Sequence, residues 1–294
     1  MKNSFAIVGG DLRIVHLAKM LANDGKMVYL YGLEKTKEKI NLLNVNYCNT
    51  VEEVIKNAEV IISSIPFSKD GINIYAPFSN EAIKIEKLAN CLENKTLFAG
   101  SISDNFYKLV KNKKLETIDL MEQEDLTVLN TIATAEGAIS DLITNTETIL
   151  HGSKVLILGF GRVAKVLAKK LVGLNVNVTC AARKDKDFAW IKALGYNLTN
   201  INTLSENLNQ YDIIINTVPH LILNEEKLAY VKKDCLLMDL ASKPGGIDQE
   251  ICERRELKFI WSLAIPGKVA PVTSAEFIKN TIYNIIRKEK IDNT

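Results

Sequence analysis

A buried strand that runs straight into a glycine turn and then a helix constrains this chain more than any other feature. The run reads Val155-Leu-Ile-Leu-Gly159-Phe160-Gly161-Arg162-Val163-Ala164, and residues 165–171 continue it in helical register. In a doubly wound fold such a turn holds the pyrophosphate of a dinucleotide. Gly159 permits the tight turn, and Gly161 lets the backbone approach the phosphates. Ala164 stands where a third glycine is usual and allows the helix to pack closely on its strand. The helix N-terminus then offers N–H groups and the positive end of its dipole to the anion.

The next strand, Val176-Asn-Val-Thr-Cys-Ala181, runs into Ala182-Arg183-Lys184. Selectivity for NAD calls for Asp or Glu here, to accept from the adenosine ribose hydroxyls. Ala182 has no carboxylate, whereas Arg183 and Lys184 can pair with a 2′-phosphate. The expectation is NADP ahead of NAD. The plainer alternative is that both charges open a solvated loop.

The chain also repeats its own plan. Phe5-Ala-Ile-Val-Gly9-Gly10-Asp11-Leu-Arg13 aligns with the run that ends at Val163. Val60-Ile-Ile-Ser63-Ser64-Ile-Pro66 matches Ile213-Ile-Ile-Asn216-Thr217-Val218-Pro219, and Thr96-Leu-Phe-Ala-Gly-Ser-Ile102 matches Leu236-Leu-Met-Asp-Leu-Ala-Ser242. Strands alternating with helices predict parallel sheets with crossover helices. The fold expected is α/β: two tandem Rossmann-like, doubly wound parallel-sheet domains with a long linking helix and a C-terminal helix packing back on the first domain. The boundaries expected are 1–125 for a substrate or partner domain and 126–294 for the dinucleotide domain, with the linking helix over 126–149 and the last helix over 274–288. Thr273-Ser-Ala-Glu276 has capping-box spacing, and Phe277, Ile278, Ile282, Ile285 and Ile286 form an apolar stripe.

The halves are not equivalent. Asp11 falls where Gly161 sits, and a carboxylate there adds bulk and negative charge beside a dianion. The first half is expected to keep the scaffold and to have lost the dinucleotide. Asp11 and Arg13 then serve the turn itself or a different ligand.

Composition excludes other classes. Of 294 residues, 47% are hydrophobic and 24% charged, with a net charge of +2, so nothing calls for nucleic acid or a membrane surface. The immediate entry into a strand predicts no secretory signal. Five scattered cysteines without a CxxC pair, and three distant histidines, argue for a reduced cytoplasmic protein without disulfides or metal.

Ligands in open α/β sheets lie beyond the C-terminal strand ends. Those ends carry Ser63, then Thr217-Val218-Pro219-His220, then Ala241 and Lys243, then Gly267 and Lys268. Dinucleotide contacts are expected from Gly159, Phe160, Gly161, Arg162, Val163, Arg183, Lys184, Thr217, Val218, Pro219 and Ala241. Substrate contacts are expected from Ser63, Thr134, Lys243, Gly267 and Lys268, with both lysines on loops and suited to carboxylates. Glu136, a carboxylate in an otherwise apolar helix, is a candidate acid or base. His220 is its rival, and Lys243 is a third candidate for the chemistry.

Five motifs taken together resemble the dipicolinate synthase A-subunit family over essentially the whole chain: Gly9-Gly10-Asp11-Leu-Arg13, Asn130-Thr-Ile-Ala-Thr134-Ala-Glu136-Gly-Ala-Ile139, Gly159-Phe-Gly161-Arg162, Asp239-Leu-Ala-Ser-Lys243-Pro-Gly-Gly246 and Pro266-Gly-Lys268-Val-Ala-Pro271. That resemblance implies NADP-dependent oxidation of dihydrodipicolinate, derived from 4-hydroxy-tetrahydrodipicolinate, to pyridine-2,6-dicarboxylate. It also implies a partner, the flavoprotein-like dipicolinate synthase B subunit, and action in the mother cell of a sporulating bacterium. A homo-oligomer stays open. So do two other readings: a related two-domain dehydrogenase of the alanine or hydroxy-acid type, and a non-catalytic NADP-binding regulatory subunit.

Overall fold

The computed structural model describes residues 2–292, and they divide into two compact units. Among the described residues the first unit comprises 2–129 and 270–292, the second 130–269. This division differs from the expected cut after residue 125, because the C-terminal helix belongs to the first unit.

The first unit runs β1 (Ser4–Val8), α1 (Leu12–Asn23), β2 (Met27–Tyr31), β3 (Val45–Tyr47), α2 (Val51–Lys56), β4 (Val60–Ser63), α3 (Ile85–Cys91), β5 (Lys95–Ala99), α4 (Asp104–Val110) and β6 (Leu115–Asp119). Helix α5 (Glu124–Asn145) leads from it into the second unit. There follow β7 (Lys154–Leu158), α6 (Arg162–Gly173), β8 (Asn177–Ala182), α7 (Asp185–Ala193), β9 (Asn197–Asn200), β10 (Ile213–Asn216), α8 (Glu225–Leu228), β11 (Leu236–Asp239), α9 (Gln249–Arg254), β12 (Lys258–Trp261) and α10 (Ile265–Val269). Helix α11 (Pro271–Asp292) closes the chain.

Each unit holds one six-stranded parallel sheet. The orders are β3-β2-β1-β4-β5-β6 and, read from the other edge, β9-β8-β7-β10-β11-β12. Both are the dinucleotide-fold order, which reverses direction beside the first strand. The tandem Rossmann-like architecture read from the repeat is therefore the one observed.

Central parallel strands are covered on both faces and read as unbroken apolar runs. The two-residue period divides each run between two cores. Phe5 and Ile7 enter one core of the first unit, Ala6 and Val8 the other. In the second unit Val155 and Ile157 face one layer of helices, Leu156 and Leu158 the opposite layer. These strands bring the glycine turns to the C-terminal edge of each sheet.

Helix α11 packs on α1, burying Ala275, Ile278, Ile282 and Ile286 in the core of the first unit, with Phe277 and Ile285 partly covered. Its start differs from the sequence reading. The helix begins at Pro271, a residue favoured at the first helical position because it has no N–H to satisfy, and Ser274 is already fully buried. The Thr273–Glu276 spacing therefore falls inside the first turns and is not the cap. Likewise α5 ends at Asn145, four residues short of the expected boundary.

Within α5 the small residues have a local reason. A Cβ on Gly137 would strike Ile265 and reach Val269 at 3.1 Å, so the missing side chain lets α10 pack closely on α5. Among the described residues no helix is long and apolar enough to cross a membrane.

Candidate functional site

The turn after β7 is open. Gly159 has φ +95, a conformation that favours glycine, and a Cβ there would lie 2.7 Å from Thr217 Oγ1 and Val218. Gly161 is the N-cap of α6 and brings no side-chain cap. A Cβ added to it meets no heavy atom within 4 Å, so the space in front of the helix is unfilled. Ala164 is fully buried beneath, as close packing of helix on strand requires.

A cavity of about 890 Å³ extends from this turn along the C-terminal edge of the sheet. Gly159, Phe160, Gly161 and Arg162 form its floor, and Ala182, Arg183 and Lys184 form the wall beyond β8. Val218 and His220 line it from the loop after β10. Lys165, Lys186 and Lys227 also face it, against one acidic residue, Asp187. Arg183, Lys184 and Lys186 make no ion pair among the described residues. So cationic a cavity, at a helix N-terminus, attracts a polyanion. The size, the open glycine and the charge all fit a dinucleotide.

The equivalent turn of the first unit is closed by its own chain. Asp11 caps α1, accepting from the Arg13 backbone N–H at 3.1 Å, and binds the Arg13 guanidinium through both oxygens. That guanidinium also donates to the Ile65 carbonyl. Gly10 N–H donates to the Tyr75 carbonyl at 3.0 Å, and a Cβ on Gly9 would sit 2.9 Å from Ala76 Cβ. Glu34, just past β2, accepts from Gly32 N–H at 2.7 Å and Asn80 N–H at 3.2 Å. Tyr75 and Ala76 therefore lie where phosphates would approach.

The remaining expected residues fall into two groups. Thr217, Val163, Pro219 and Ala241 stand close to the turn in sequence or register but do not line this cavity. Thr217 Oγ1 donates to the Leu158 carbonyl at 2.8 Å, and Ala241 is buried with its N–H on Asp239. Val163 is half-buried in the first turn of α6, and Pro219 is exposed.

The substrate and acid–base candidates are placed as follows. Glu136 is exposed and paired with Lys170 Nζ of α6 at 2.8 Å, so it is a surface ion pair rather than a carboxyl enclosed by apolar groups. Ser63 is fully buried, with its hydroxyl donating to the Val8 carbonyl. Thr134 turns its hydroxyl back onto the Asn130 carbonyl of its own helix. Gly267 and Lys268 lie within α10 and not on a loop, although Lys268 is exposed. Lys243 does stand on a turn, also exposed.

Some contributors escaped the sequence reading. Lys165 lies one helical turn beyond Gly161, and Asn202 and Lys227 come from segments that only the fold brings to the cavity. The buried Asp239 carboxylate had its signal in the Asp239–Gly246 motif but no assigned role.

Two copies of the dinucleotide fold, one turn open and one closed, define a two-domain dinucleotide-binding protein of the dehydrogenase type. Residues 4–121 match the N-terminal domain of the dipicolinate synthase A subunit, and residues 132–244 match the NAD-binding domain of D-isomer specific 2-hydroxyacid dehydrogenases. The dipicolinate synthase A subunit of Bacillus subtilis (strain 168) is 29% identical over 96% of this chain and 95% of its own length. The crystal structure of the dipicolinate synthase A subunit from Bacillus halodurans has a TM-score of 0.87 at 27% identity, covering 96% of this chain and 97% of that one. An L-alanine dehydrogenase shares the fold, with a TM-score of 0.61 at 12% identity over 95% of this chain and 88% of that one. The chain is thus similar to dipicolinate synthase A subunits over nearly its whole length.

Proposed function

We propose that this protein oxidises dihydrodipicolinate to pyridine-2,6-dicarboxylate with NADP, as the A subunit of a dipicolinate synthase working in the cytoplasm of a sporulating mother cell. The observation that carries the reading is the open Gly159–Gly161 turn beside a cationic cavity, in a chain whose relatives bear that name along their whole length. A flavoprotein-like B subunit is its proposed partner.

Bound NADP would supply the hydride acceptor, nicotinamide C4. This chain's residues have the tasks of binding and orienting. The α6 N-terminus and Gly161 take the pyrophosphate, while Arg183 and Lys184 take the 2′-phosphate. Lys243 and Lys268, both exposed, are proposed to meet the two carboxylates of the substrate. One ring C–H leaves as hydride and one proton is lost, which completes the aromatic pyridine. Aromatisation favours that direction, so alignment and exclusion of water are the main requirements. His220 is the proposed proton acceptor, supported by its exposure at the dinucleotide cavity; Glu136 is not, because Lys170 holds it.

The test is absorbance of the reduced nicotinamide on mixing precursor and NADP with this chain, with and without the B subunit. Reduction by the chain alone supports the proposal. Reduction that needs the partner's own active site would make this chain a regulatory subunit. Turnover only of an amino or hydroxy acid would make it a different dehydrogenase.

A further inference from the structure

At the end of β11 a carboxylate is almost wholly enclosed. Asp239 is 1% exposed, and both of its oxygens accept. Oδ1 takes the Asn216 side-chain amide and the Ala241 N–H, each at 2.8 Å. Oδ2 takes the Gly246 N–H at 2.7 Å and the Ile247 N–H at 3.2 Å. Asn216, paired opposite it on β10 and fully buried, grips Val218 at both backbone groups, donating to its carbonyl at 2.9 Å and accepting from its N–H at 3.1 Å. The two glycines of the turn are fitted around this pair. A Cβ on Gly246 would strike the Asn216 amide, and one on Gly245 would lie 2.8 Å from Asp239 Oδ2.

Burying a carboxyl group is costly unless every lone pair is met, and the fold does not require it. At the corresponding strand ends the first unit carries Ser63 and Ala99, and its sheet forms in the same order. What distinguishes the second unit is its open dinucleotide turn. Through Asn216 and Val218 the pair reaches that turn, since Val218 touches the space above Gly159. Through Ala241, Gly246 and Ile247 it fixes the ends of the turn that carries Lys243.

We infer that Asp239 and Asn216 are positioning residues that lock the loops after β10 and β11 into one platform for the nicotinamide half of the dinucleotide. The adenosine half belongs to the β7-β8-β9 side, where Arg183 stands. The β10-β11 side is left for the nicotinamide end and the substrate. This inference rests on the dinucleotide reading of the open turn.

The experiment titrates NADP and its nicotinamide-free fragment, 2′-phospho-ADP-ribose, by calorimetry. The proteins are the natural chain, Asp239→Asn, and a double variant, Asn216→Ser with Asp239→Ala, which copies the first unit. In Asp239→Asn one acceptor oxygen becomes an NH2 facing an N–H, so the platform loosens without loss of volume. Expected is tighter binding of NADP than of the fragment by the natural chain. Both variants should bind the fragment within about twofold of the natural chain and lose at least fivefold of the preference for NADP. Retention of the natural preference in the variants overturns the inference while leaving the dinucleotide reading intact. So does equal affinity of the natural chain for both ligands. Loss of the folded state in both variants, read from the thermal transition, also overturns it, because the pair would then serve the fold alone. Failure of the natural chain to bind either ligand would instead overturn the dinucleotide reading itself.

Discussion

Asp11 and Gly161 occupy the same place in two copies of one turn, and they close and open it respectively. Each is the N-cap of the helix that leaves the first strand of its sheet. Asp11 spends its carboxylate on the Arg13 N–H and guanidinium, whereas Gly161 leaves the helix end without a side chain. One chain thus contains an open copy of the turn and a closed one.

The first prediction is one dinucleotide per chain, held by the second unit. Gly161→Asp should abolish it, since a carboxylate would stand where the pyrophosphate approaches. Gly161→Ala should cost the unliganded protein no more than about 1 kcal/mol, the effect of a poorer N-cap, because the added Cβ meets nothing, yet weaken dinucleotide binding at least about tenfold, a loss of about 1.4 kcal/mol. Calorimetry and thermal melts check both. Two equivalent sites per chain would refute the assignment.

Coenzyme choice is tested at the end of β8. Arg183→Ala should lower NADP affinity roughly ten- to a hundredfold, the effect of losing about 1.5–3 kcal/mol from a charged hydrogen bond. NAD affinity should hardly change, since NAD has no 2′-phosphate. Ala182→Asp should shift preference toward NAD. Equal losses for both coenzymes on Arg183→Ala would mean that the arginine supports the fold.

Helix α5 offers a contrast between neighbouring residues. Glu136→Gln should change stability by no more than about 1 kcal/mol, as befits an exposed ion pair, and turnover should stay near normal. Gly137→Ala should destabilise by about 1–3 kcal/mol, because Ile265 and Val269 would have to move. Denaturant melts separate the two. A large loss of turnover in Glu136→Gln would restore it as an acid or base.

The thiols should respond to alkali with a definite sign. Burial pushes Cys180, Cys235 and Cys252 up to about 12, and burial followed by the Glu53 charge pushes Cys48 up to about 11. In the unfolded chain these thiols ionise near their ordinary value of 9.0. The unfolded state therefore releases protons first, so the thiol contribution to stability is full below about pH 9 and is lost as pH rises toward 12. The denaturation midpoint should be lower at about pH 10 than at neutral pH. At neutral pH a thiol-specific reagent should label Cys91, which is half-buried, well before the four buried cysteines.

The sequence by itself determined the fold and the dinucleotide turn. Strand periodicity, the glycine spacing and the internal repeat are local properties, written in residues that are neighbours along the chain. Asp11 opposite Gly161 in the aligned halves was enough to predict which copy would be open. Tertiary structure alone decided which side chains are free to act. Glu136 looks enclosed in a run of apolar residues, but the helix places it on the outside within reach of Lys170, 34 positions along the chain. Ser63 looks available at a strand end until the neighbouring strand presents the Val8 carbonyl. Lys268 reads as a loop lysine because Pro266 and Gly267 disfavour helix, yet α10 forms where Ile265 packs against Gly137. In each case the deciding partner lies far away in sequence, and strand pairing or helix packing sets its position.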